Sequence, residues 1–445
     1  MPVGPGGPAL VLGTFPAERA WAPADAASLP ALPQLQPAYA VEEMDQLLAA
    51  VCRPGDVLLT RRALHPALRD YLAEAGVLPA RAAALFGWDE AVDPAAAGAS
   101  VARLALERLG PDPAAALPAA PAALRPYAVD AHTGELCRTL GVPPLPECEV
   151  ARRANSKAFS TRLADELGVG YGGAAVGSAA AFRAEAGRLL ASGPVVVKQD
   201  FGVSGGGSHT ISDERRLDRL HRHLAAEEEA GRAVSLVVEP LLPKLRDFSC
   251  HLEIGPAGDF RVLGLQGTVN RGFSYAASVA MPAAERDEVL DSGYGRTMEG
   301  VAAALHGLGY HGFACVDSMR LEGGGVVPVL EINARMSMGL VNHHLGARLA
   351  GWEGGTRLTH LPVACDAPLD VERVLSALDA AGLLVRPGAP RGIVPLGSAT
   401  LPLAGDGPGP LRGRLYVAAA ADADGVLQEV SRVLGGIGVR TPGLE

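Results

Sequence analysis

A β-hairpin constrains the fold of this 445-residue sequence more than any other feature. The stretches 313–321 and 326–333 are rich in residues typical of strands, and the three glycines at 323–325 suit a tight loop between them. We expect Glu322 to pair with Val326 across this loop, and that pair would set the register of the whole hairpin.

The predicted register brings polar side chains together at the end of the hairpin. It places Asp317 opposite Glu331. Because side chains alternate between the two faces of a strand, Glu331 and Asn333 project to the same face as Asp317. Arg335 joins them if the strand persists. Two carboxylates and a carboxamide should therefore converge.

Adjacent carboxylates at the end of apolar strands are unfavourable unless a positive charge neutralises them. Hard oxygen ligands, without nearby Cys or paired His, select magnesium or manganese, which commonly also bind substrate phosphates. The pattern therefore predicts a divalent-metal site. The alternative is that both strands emerge into water here and the carboxylates are merely solvated.

Composition limits the class of protein. The sequence is 48% hydrophobic but has no apolar run of membrane-spanning length, so we expect a soluble protein without a signal peptide. Its six cysteines form no Cys-x-x-Cys pair, which argues against a zinc site or a disulfide framework and favours the cytoplasm. The formal net charge of -10 gives no electrostatic reason to expect nucleic-acid binding.

Hydrophobic patterns indicate how the chain is organised. The N-terminal part alternates short apolar runs, such as 9–12 and 56–60, with helical patterns, which indicates a small parallel α/β unit. The segment 111–126 is rich in Pro and Ala and is a candidate connection. Stronger signals follow, including a long helix over 283–308, and the last part predicts a small α/β cap.

Two lysines are candidate phosphate ligands. Lys198 lies near the end of a predicted apolar strand, and a glycine-rich segment follows it, comprising Ser204, Gly205, Gly206, Gly207 and Ser208. Glycines let backbone N–H groups approach a phosphate without a Cβ clash. Lys157 opens a predicted helix and would supply a second cation. The alternatives are a flexible surface loop beside a snorkelling lysine, and a solvated basic helix start.

The chain around Pro240 suits recognition of an adenine edge. Glu239, Leu241 and Leu242 adjoin this proline at the end of an apolar strand. Pro240 has no N–H, so its neighbours would supply the backbone donors and acceptors. A plain strand end is the alternative interpretation.

Two further charged residues have two interpretations each. Asp247 would accept hydrogen bonds from ribose hydroxyls, or it would pair with Arg246. Arg271, in a predicted loop between the middle strands and the long helix, would hold a phosphate or a substrate carboxylate bidentately. A surface arginine is the alternative.

The order of these motifs resembles that of the ATP-grasp superfamily. A lysine on a helix, a lysine before a glycine-rich loop, a Glu-Pro strand end, an acidic ribose candidate and Glu-x-Asn-x-Arg at 331–335 follow one another. The resemblance implies an α/β (α+β) chain with the ATP-grasp fold. It implies a Rossmann-like pre-ATP-grasp domain at 1–126, the ATP-grasp domain at 127–350 and a small C-terminal α/β cap at 351–445.

The resemblance also implies roles for the candidate residues. The groups that would bind ATP are Lys157, Lys198, Ser204, Gly205, Gly206, Gly207 and Ser208 at the phosphates, Glu239, Leu241 and Leu242 at the adenine, and Asp247 at the ribose. The groups that would bind two Mg²⁺ ions, with Mn²⁺ as an alternative, are Asp317, Glu331 and Asn333. Arg271 and Arg335 would stabilise the transferred phosphate and the acyl intermediate.

By this resemblance, the expected activity is that of a carboxylate-amine ligase. A substrate carboxylate would attack the γ-phosphate of ATP, and an amine would then displace phosphate from the acyl phosphate to form an amide or peptide bond. An amino acid or a peptide is the expected small-molecule substrate. The alternatives are acylation of a carrier-protein thiol, a non-catalytic nucleotide-binding regulatory protein, and a phosphotransferase. We expect neither a nucleic-acid nor a membrane partner. A homodimer is one of the possible oligomeric states.

Overall fold

In the computed structural model, the described part of the chain forms three β-sheets and the helices that cover them. The described residues are 7–30, 39–78, 84–88, 100–110, 112, 116–202, 207–349, 351–352, 354–387, 391–402 and 409–444. Within these ranges, no helix combines the length and the apolarity needed to cross a bilayer. The combination of one parallel and two antiparallel sheets with helices confirms the predicted α/β class.

A parallel sheet forms the N-terminal part, as predicted. Its strands are β1 (Ala9–Leu12), β2 (Val57–Arg62), β3 (Ala84–Trp88) and β4 (Ala123–Pro126), in the spatial order β3-β2-β1-β4. Strand β1 is buried throughout because all four of its side chains are apolar. Strand β4 pairs with β1, so the end of the segment 111–126 belongs to the sheet and is not a connection.

Helices cover this sheet and lead out of it. They are α1 (Ala17–Trp21), α2 (Tyr39–Glu42), the 3₁₀ helix Met44–Val51, α3 (Pro66–Glu74), α4 (Val101–Arg108), α5 (Thr133–Leu140), α6 (Cys148–Ala154) and α7 (Lys157–Glu166). Helix α7 begins where Ser156 accepts a hydrogen bond from the N–H of Phe159, which satisfies an N-terminal donor of the helix.

A small antiparallel sheet follows α7. Its strands are β5 (Ala174–Val176), β6 (Val195–Gln199), β7 (Ser208–Ile211) and β8 (Leu236–Pro240), in the order β5-β8-β6-β7. Two helices, α8 (Ala179–Leu190) and α9 (Glu214–Glu229), pack on one face of this sheet. Their apolar positions recur at helical spacing, so that Phe182 and Leu217 are fully buried against the strands.

The largest sheet has eight strands and is antiparallel. They are β9 (Lys244–Ile254), β10 (Phe260–Arg271), β11 (Ser274–Ala280), β12 (Gly312–Leu321), β13 (Val326–Asn333), β14 (Thr356–Cys365), β15 (Ile393–Pro395) and β16 (Leu411–Ala420). Their spatial order is β13-β12-β9-β10-β11-β14-β16-β15. The predicted hairpin therefore lies at one edge of this sheet.

The long helix predicted over 283–308 is broken. It comprises α10 (Ala283–Val289), a π-helical turn over Leu290–Tyr294 and α11 (Gly295–Gly307). Gly293 breaks the α-helix, because its φ of 84° is left-handed, a conformation that glycine adopts without steric cost.

The C-terminal part has α/β structure, as predicted, but its strands extend the large sheet. Strand β14 pairs with β11, and β16 pairs with β14 along ten residue pairs. Helices α12 (Met338–Arg348), α13 (Val371–Ala380) and α14 (Asp424–Gly436) complete the described secondary structure of this part. One hydrophobic core therefore joins the N-terminal helices, the large sheet and the C-terminal part.

Gln46 links the N-terminal and C-terminal parts through buried hydrogen bonds. Its Oε1 atom accepts from the N–H groups of Ser398 and Ala399, at 2.7 and 3.1 Å. Its Nε2 atom donates to the carbonyls of Arg62 and Ala63, at 3.2 and 3.3 Å. The residue is only 1% exposed, so water does not replace these partners.

We therefore expect Gln46→Ala to lower the free energy of unfolding by about 3 kcal/mol, because it leaves several buried backbone groups unsatisfied. Chemical denaturation followed by circular dichroism would measure the loss. Gln428→Ala, at an exposed position of α14, is the matched control and should change little. An equal loss in both variants would contradict this role of Gln46.

Candidate functional site

The hairpin of β12 and β13 has the predicted register where the polar residues lie. Asp317 pairs with Glu331, as expected. Beside the loop, however, Arg320 pairs with Val326, so the predicted pair of Glu322 with Val326 is wrong. A bulge between these regions restores the register.

The bulge surrounds Pro328, which cannot donate a hydrogen bond to a neighbouring strand. Between the pairs Asp317–Glu331 and Met319–Val327, one residue of β12 faces three residues of β13. The hydroxyl of Ser318 donates to the Pro328 carbonyl at 2.8 Å and holds the bulge in place.

Side chains at the end of the hairpin converge, as the register predicts. The Asn333 amide donates to Asp317 Oδ2 at 2.9 Å, and Arg335 Nη2 donates to Asn333 Oδ1 at 2.9 Å. Lys157 Nζ lies 3.0 Å from Glu331 Oε1. We call Asp317, Glu331 and Asn333 the oxygen cluster.

The two carboxyl groups of the oxygen cluster differ in proton affinity. Burial and the neighbouring Glu331 charge raise the pKa of Asp317 to about 7. Burial also acts to raise the pKa of Glu331, but the charges of Lys157 and Lys198 outweigh it and leave that pKa below its ordinary value. Among the described residues, Asp317 forms no ion pair of the kind that Glu331 forms with Lys157, although the charge of Arg335 acts to lower its pKa.

The donor set of the oxygen cluster fits a divalent cation. Two carboxylates and a carboxamide are hard oxygen ligands, the kind that Mg²⁺ prefers. A cation beside Asp317 would also offset the burial of its carboxylate, which raises its pKa. Among the described residues, Asp317, Glu331 and Asn333 are thus the groups that would hold Mg²⁺ in this site.

Helix α7 positions Lys157 through the neighbouring carboxylate of Asp200, which no sequence pattern indicated. Asp200 Oδ1 accepts from the Ser156 hydroxyl at 2.7 Å and from the Ala158 N–H at 3.0 Å. Asp200 Oδ2 accepts from Ser235 at 3.0 Å. Asp200 thereby joins the start of α7 to the chain that follows β6 and to the start of β8.

Helix α7 also covers the edge of the large sheet. The Ile332 N–H of the edge strand β13 donates to the Ser160 hydroxyl at 2.9 Å. The same helix carries Lys157 one turn earlier, which explains why the lysine reaches the oxygen cluster.

Lys198 forms an ion pair at a partly buried position. Its ammonium group contacts Glu239 Oε1, and the Tyr171 hydroxyl donates to Glu239 Oε2. Burial acts to lower the pKa of Lys198, but the charge of Glu239 outweighs it and raises that pKa above its ordinary value. Lys198 therefore stays charged, and its charge also acts to lower the pKa of Glu331.

The glycine-rich segment falls partly outside the described residues, which exclude Ser204, Gly205 and Gly206. Gly207 has a φ of 82° and its carbonyl accepts from the Gln199 N–H at 3.0 Å. Ser208 is buried and pairs with Lys198 across β6 and β7. The described end of this segment thus lies beside Lys198.

One backbone N–H group after Pro240 already donates a hydrogen bond within the chain. The Leu241 N–H donates to the Pro194 carbonyl at 2.9 Å, so it is not available to an adenine. The Leu241 side chain is 47% exposed, whereas the Glu239 side chain points to Lys198. Leu242 is therefore the candidate backbone donor of this stretch.

Asp247 lies on the same face of the large sheet as the oxygen cluster. It accepts from Lys244 Nζ at 2.6 Å and from Asn270 Nδ2 at 2.8 Å. The suggested pairing with Arg246 is wrong, because Arg246 pairs instead with Glu285 at 3.1 Å. Asp247 lies opposite Met319, two residues from Asp317 along β12, and its charge contributes to the raised pKa of Asp317.

The structure does not bring Arg271 to the oxygen cluster. This residue ends β10 and pairs with Ser274 of β11, so its placement in a loop before the long helix is wrong. Among the described residues, the Arg271 side chain makes neither a hydrogen bond nor an ion pair, and its charge acts to lower the pKa of His360 in the C-terminal part. Its proposed role stays a prediction.

Arg335 is held from both sides. It forms an ion pair with Glu18 of α1, and its Nη1 atom donates to the Tyr127 hydroxyl at 3.2 Å. The guanidinium also lies 5.5 Å from the centre of the Tyr127 ring. Glu18, Tyr171 and Asp200 are the residues of this region that sequence reasoning missed, because no local pattern links them to partners so distant in the chain.

Comparisons with known proteins identify a shared architecture. No protein-family model matches this sequence, and no curated protein matches it. N5-carboxyaminoimidazole synthetase from Staphylococcus aureus is similar in structure, with 10% identity over 97% of this chain and 98% of that chain, and a TM-score of 0.52.

The biotin carboxylase domain of the Hydrogenobacter thermophilus 2-oxoglutarate carboxylase is also similar. It shares 15% identity over 96% of this chain and 89% of that chain, with a TM-score of 0.50. That domain was solved with MgADP and bicarbonate, and the staphylococcal synthetase has also been solved with ADP. At these identities the likeness establishes the fold that the chains share.

Proposed function

We propose that this chain, which has the ATP-grasp fold, is an ATP-dependent carboxylate-amine ligase that releases ADP and phosphate. One observation carries the proposal: Lys157 and Lys198 meet the oxygen cluster in a single charged region. Such a region neutralises a triphosphate and a divalent cation together.

We also propose that the chain divides into three domains, at residues 1–126, 127–350 and 351–445.

The proposed reaction requires charge neutralisation and does not need a protein nucleophile. A substrate carboxylate attacks the γ-phosphorus of ATP, ADP leaves, and an amine displaces phosphate from the acyl phosphate to form the amide. Lys157 and Lys198 neutralise phosphate oxygens, and Arg335 stabilises the acyl intermediate. Mg²⁺, when bound by the oxygen cluster, would supply further charge neutralisation for the phosphates.

ATP is proposed to lie between the small sheet and the large sheet. Leu242 would donate to the adenine, Asp247 would accept from the ribose, and the segment 204–208 would contact the phosphates beside Lys198. Asp247 and Ser208 lie beside the charged region in the structure, and Leu242 follows Glu239 closely in the chain.

A screen of paired amino acids, acids and peptides tests the proposal. The purified chain should release ADP and phosphate only when a carboxylate donor and an amine acceptor are both present with Mg²⁺ and ATP. Release of AMP and pyrophosphate would point to adenylation and would contradict the proposed chemistry. Nucleotide binding without turnover across the panel would favour a regulatory protein.

The first of the predictions for this site concerns Asp200, which holds the start of α7 and thereby positions Lys157. Asp200→Asn would place an amide group beside the hydroxyls and the N–H that the carboxylate accepts from, and α7 would lose its anchor. We expect the KM for ATP to rise about 10-fold, with a smaller change in kcat, because the loss of a charged acceptor costs about 1.5–3 kcal/mol.

Steady-state kinetics at varied ATP would measure this split between KM and kcat. Asp213→Asn is the matched control, because Asp213 also accepts N–H groups at a helix start but lies on an exposed surface. Unchanged kinetics in Asp200→Asn, or equal changes in both variants, would contradict the positioning role.

A further inference from the structure

A cavity of about 140 Å³ lies between the N-terminal sheet and the large sheet. Its lining includes residues 123–129 of β4 and the following chain, the end of β9 and the start of β12. Arg335 lines the cavity and also donates to Asn333 of the oxygen cluster. The cavity therefore begins where the charged region ends.

The register of β9 and β12 gives the length of the space between the oxygen cluster and the far end of the cavity. Asp317 lies opposite Ser249, and Phe313 lies opposite Glu253, four residues farther along both strands. A strand advances about 3.3 Å per residue, so the far end lies about 13 Å from the oxygen cluster. Phe313 and Glu253 both line the cavity, and all four residues share one face of the sheet.

Cationic groups collect at the far end. Arg53 and Arg125 line the cavity, and Arg261 lies beside it. These three guanidinium groups face two carboxylates, Asp56 and Glu253, so the far end carries a surplus positive charge.

The hydrogen bonds to the two carboxylates come from groups other than the Arg53 side chain. Glu253 Oε2 accepts from both Nε and Nη2 of Arg261. Asp56 accepts from the Ala9 N–H at 2.8 Å, from the Arg53 N–H at 2.7 Å and from Arg125 Nη1 at 2.9 Å.

Arg53 is only loosely held. Its guanidinium forms an ion pair with Glu253 Oε1 at 3.8 Å, beyond hydrogen-bond distance, and its side chain is 39% exposed, so a ligand anion can approach it. Burial and the neighbouring Arg125 charge lower the pKa of Arg53, an unfavourable situation that a bound anion would relieve.

The walls of the cavity are largely apolar. They include Pro126, Leu145, Ile254, Tyr310, Phe313 and Met336. Such walls bind the uncharged body of a ligand, and a few charged groups fix its orientation.

Building on the proposed ligase function, we propose that the cavity holds the distal part of an elongated acid substrate that carries a second anionic group. The carboxylate to be activated lies at the Arg335 end, and Arg53 and Arg125 bind the second anion. The substrate class is an acid of about dipeptide length that has an anionic group at each end and an apolar middle. The separation of about 13 Å, or about four strand residues, between the oxygen cluster and the far end of the cavity sets the upper limit on its length.

Calorimetric titration of the full chain with azelate and nonanoate, in buffer with Mg²⁺, tests this assignment. These acids have the same chain length, but nonanoate lacks the second carboxylate. We expect azelate to bind at least about 10-fold more tightly, because charge-assisted hydrogen bonds contribute about 1.4 kcal/mol or more each. Equal binding of the two acids, or no binding of either, would overturn the proposal.

The variants Arg53→Gln and Arg261→Gln form a matched pair. Both remove one guanidinium of similar exposure beside Glu253, but only Arg53 lines the cavity. Arg53→Gln should abolish the preference for azelate, and Arg261→Gln should retain it. Loss of the preference in both variants would show a general effect of charge and would refute the assignment.

Two further titrations separate the outcomes. The phosphonate analogue of azelate should also bind, and its affinity relative to azelate assigns the second anion as a phosphate or a carboxylate. MgADP should bind wild type and Arg53→Gln equally. Failure of MgADP to bind wild type would refute the proposed function, whereas MgADP binding without a preference for azelate would refute only the cavity assignment.

Discussion

Glu331→Gln is expected to reduce ATP-dependent ADP formation on the order of 100-fold or more while the chain stays folded. The side chain keeps its size, but it loses the negative charge that pairs with Lys157 at 3.0 Å. It would also become a weaker ligand for a divalent cation, because a carboxamide lacks the charge of a carboxylate. ADP release in a coupled assay would measure the effect.

Two additional measurements make this result specific. Binding of Mn²⁺, followed by electron paramagnetic resonance, should weaken in Glu331→Gln independently of turnover. Glu322→Gln, an exposed position in the same hairpin, is the matched control and should retain both activity and metal binding. Turnover of Glu331→Gln at the wild-type rate would count against the oxygen cluster as the catalytic centre.

Lys198→Met should have a comparably large effect on activity and a second effect on stability. Removing the ammonium group takes away a phosphate ligand, for which we expect a loss on the order of 100-fold. It also leaves the Glu239 carboxylate buried beside Tyr171 without its cation. Breaking a buried ion pair in this way costs about 3 to 5 kcal/mol of folding free energy.

A double variant separates the two effects. Lys198→Met with Glu239→Gln removes both charges and still provides an acceptor for the Tyr171 hydroxyl. Denaturation should show that much of the lost stability returns, whereas ADP formation should stay low. If the double variant regained activity, Lys198 would be a structural residue and its assignment to the phosphates would be wrong.

The hairpin shows how far a local pattern can predict a site. Alternation of side chains and an expected three-residue loop predicted Asp317 opposite Glu331, and the structure pairs these two residues. The prediction was right at the site although the pair next to the loop was wrong, because the bulge at Pro328 compensates for the longer loop. The missing N–H of proline was visible in the sequence, but its effect on register depends on how the neighbouring strand responds.

Contacts between distant segments could not be predicted in the same way. Ser156 and Asp200 are 44 residues apart, and nothing in either segment indicates the partner. The pair of Glu18 with Arg335 joins the first helix to the end of the hairpin, so it depends on how the N-terminal sheet docks. Periodicity predicts secondary structure and faces, whereas such pairs depend on tertiary packing.

The position of helix α7 has a consequence for solubility. An uncovered terminal strand offers its backbone groups to other molecules and promotes intermolecular sheet growth. The hydroxyl of Ser160 occupies one of these groups on β13, so the helix that presents Lys157 to the oxygen cluster also shields the chain from self-association. We therefore expect a substitution that displaces this helix to promote aggregation and to reduce the proposed turnover together.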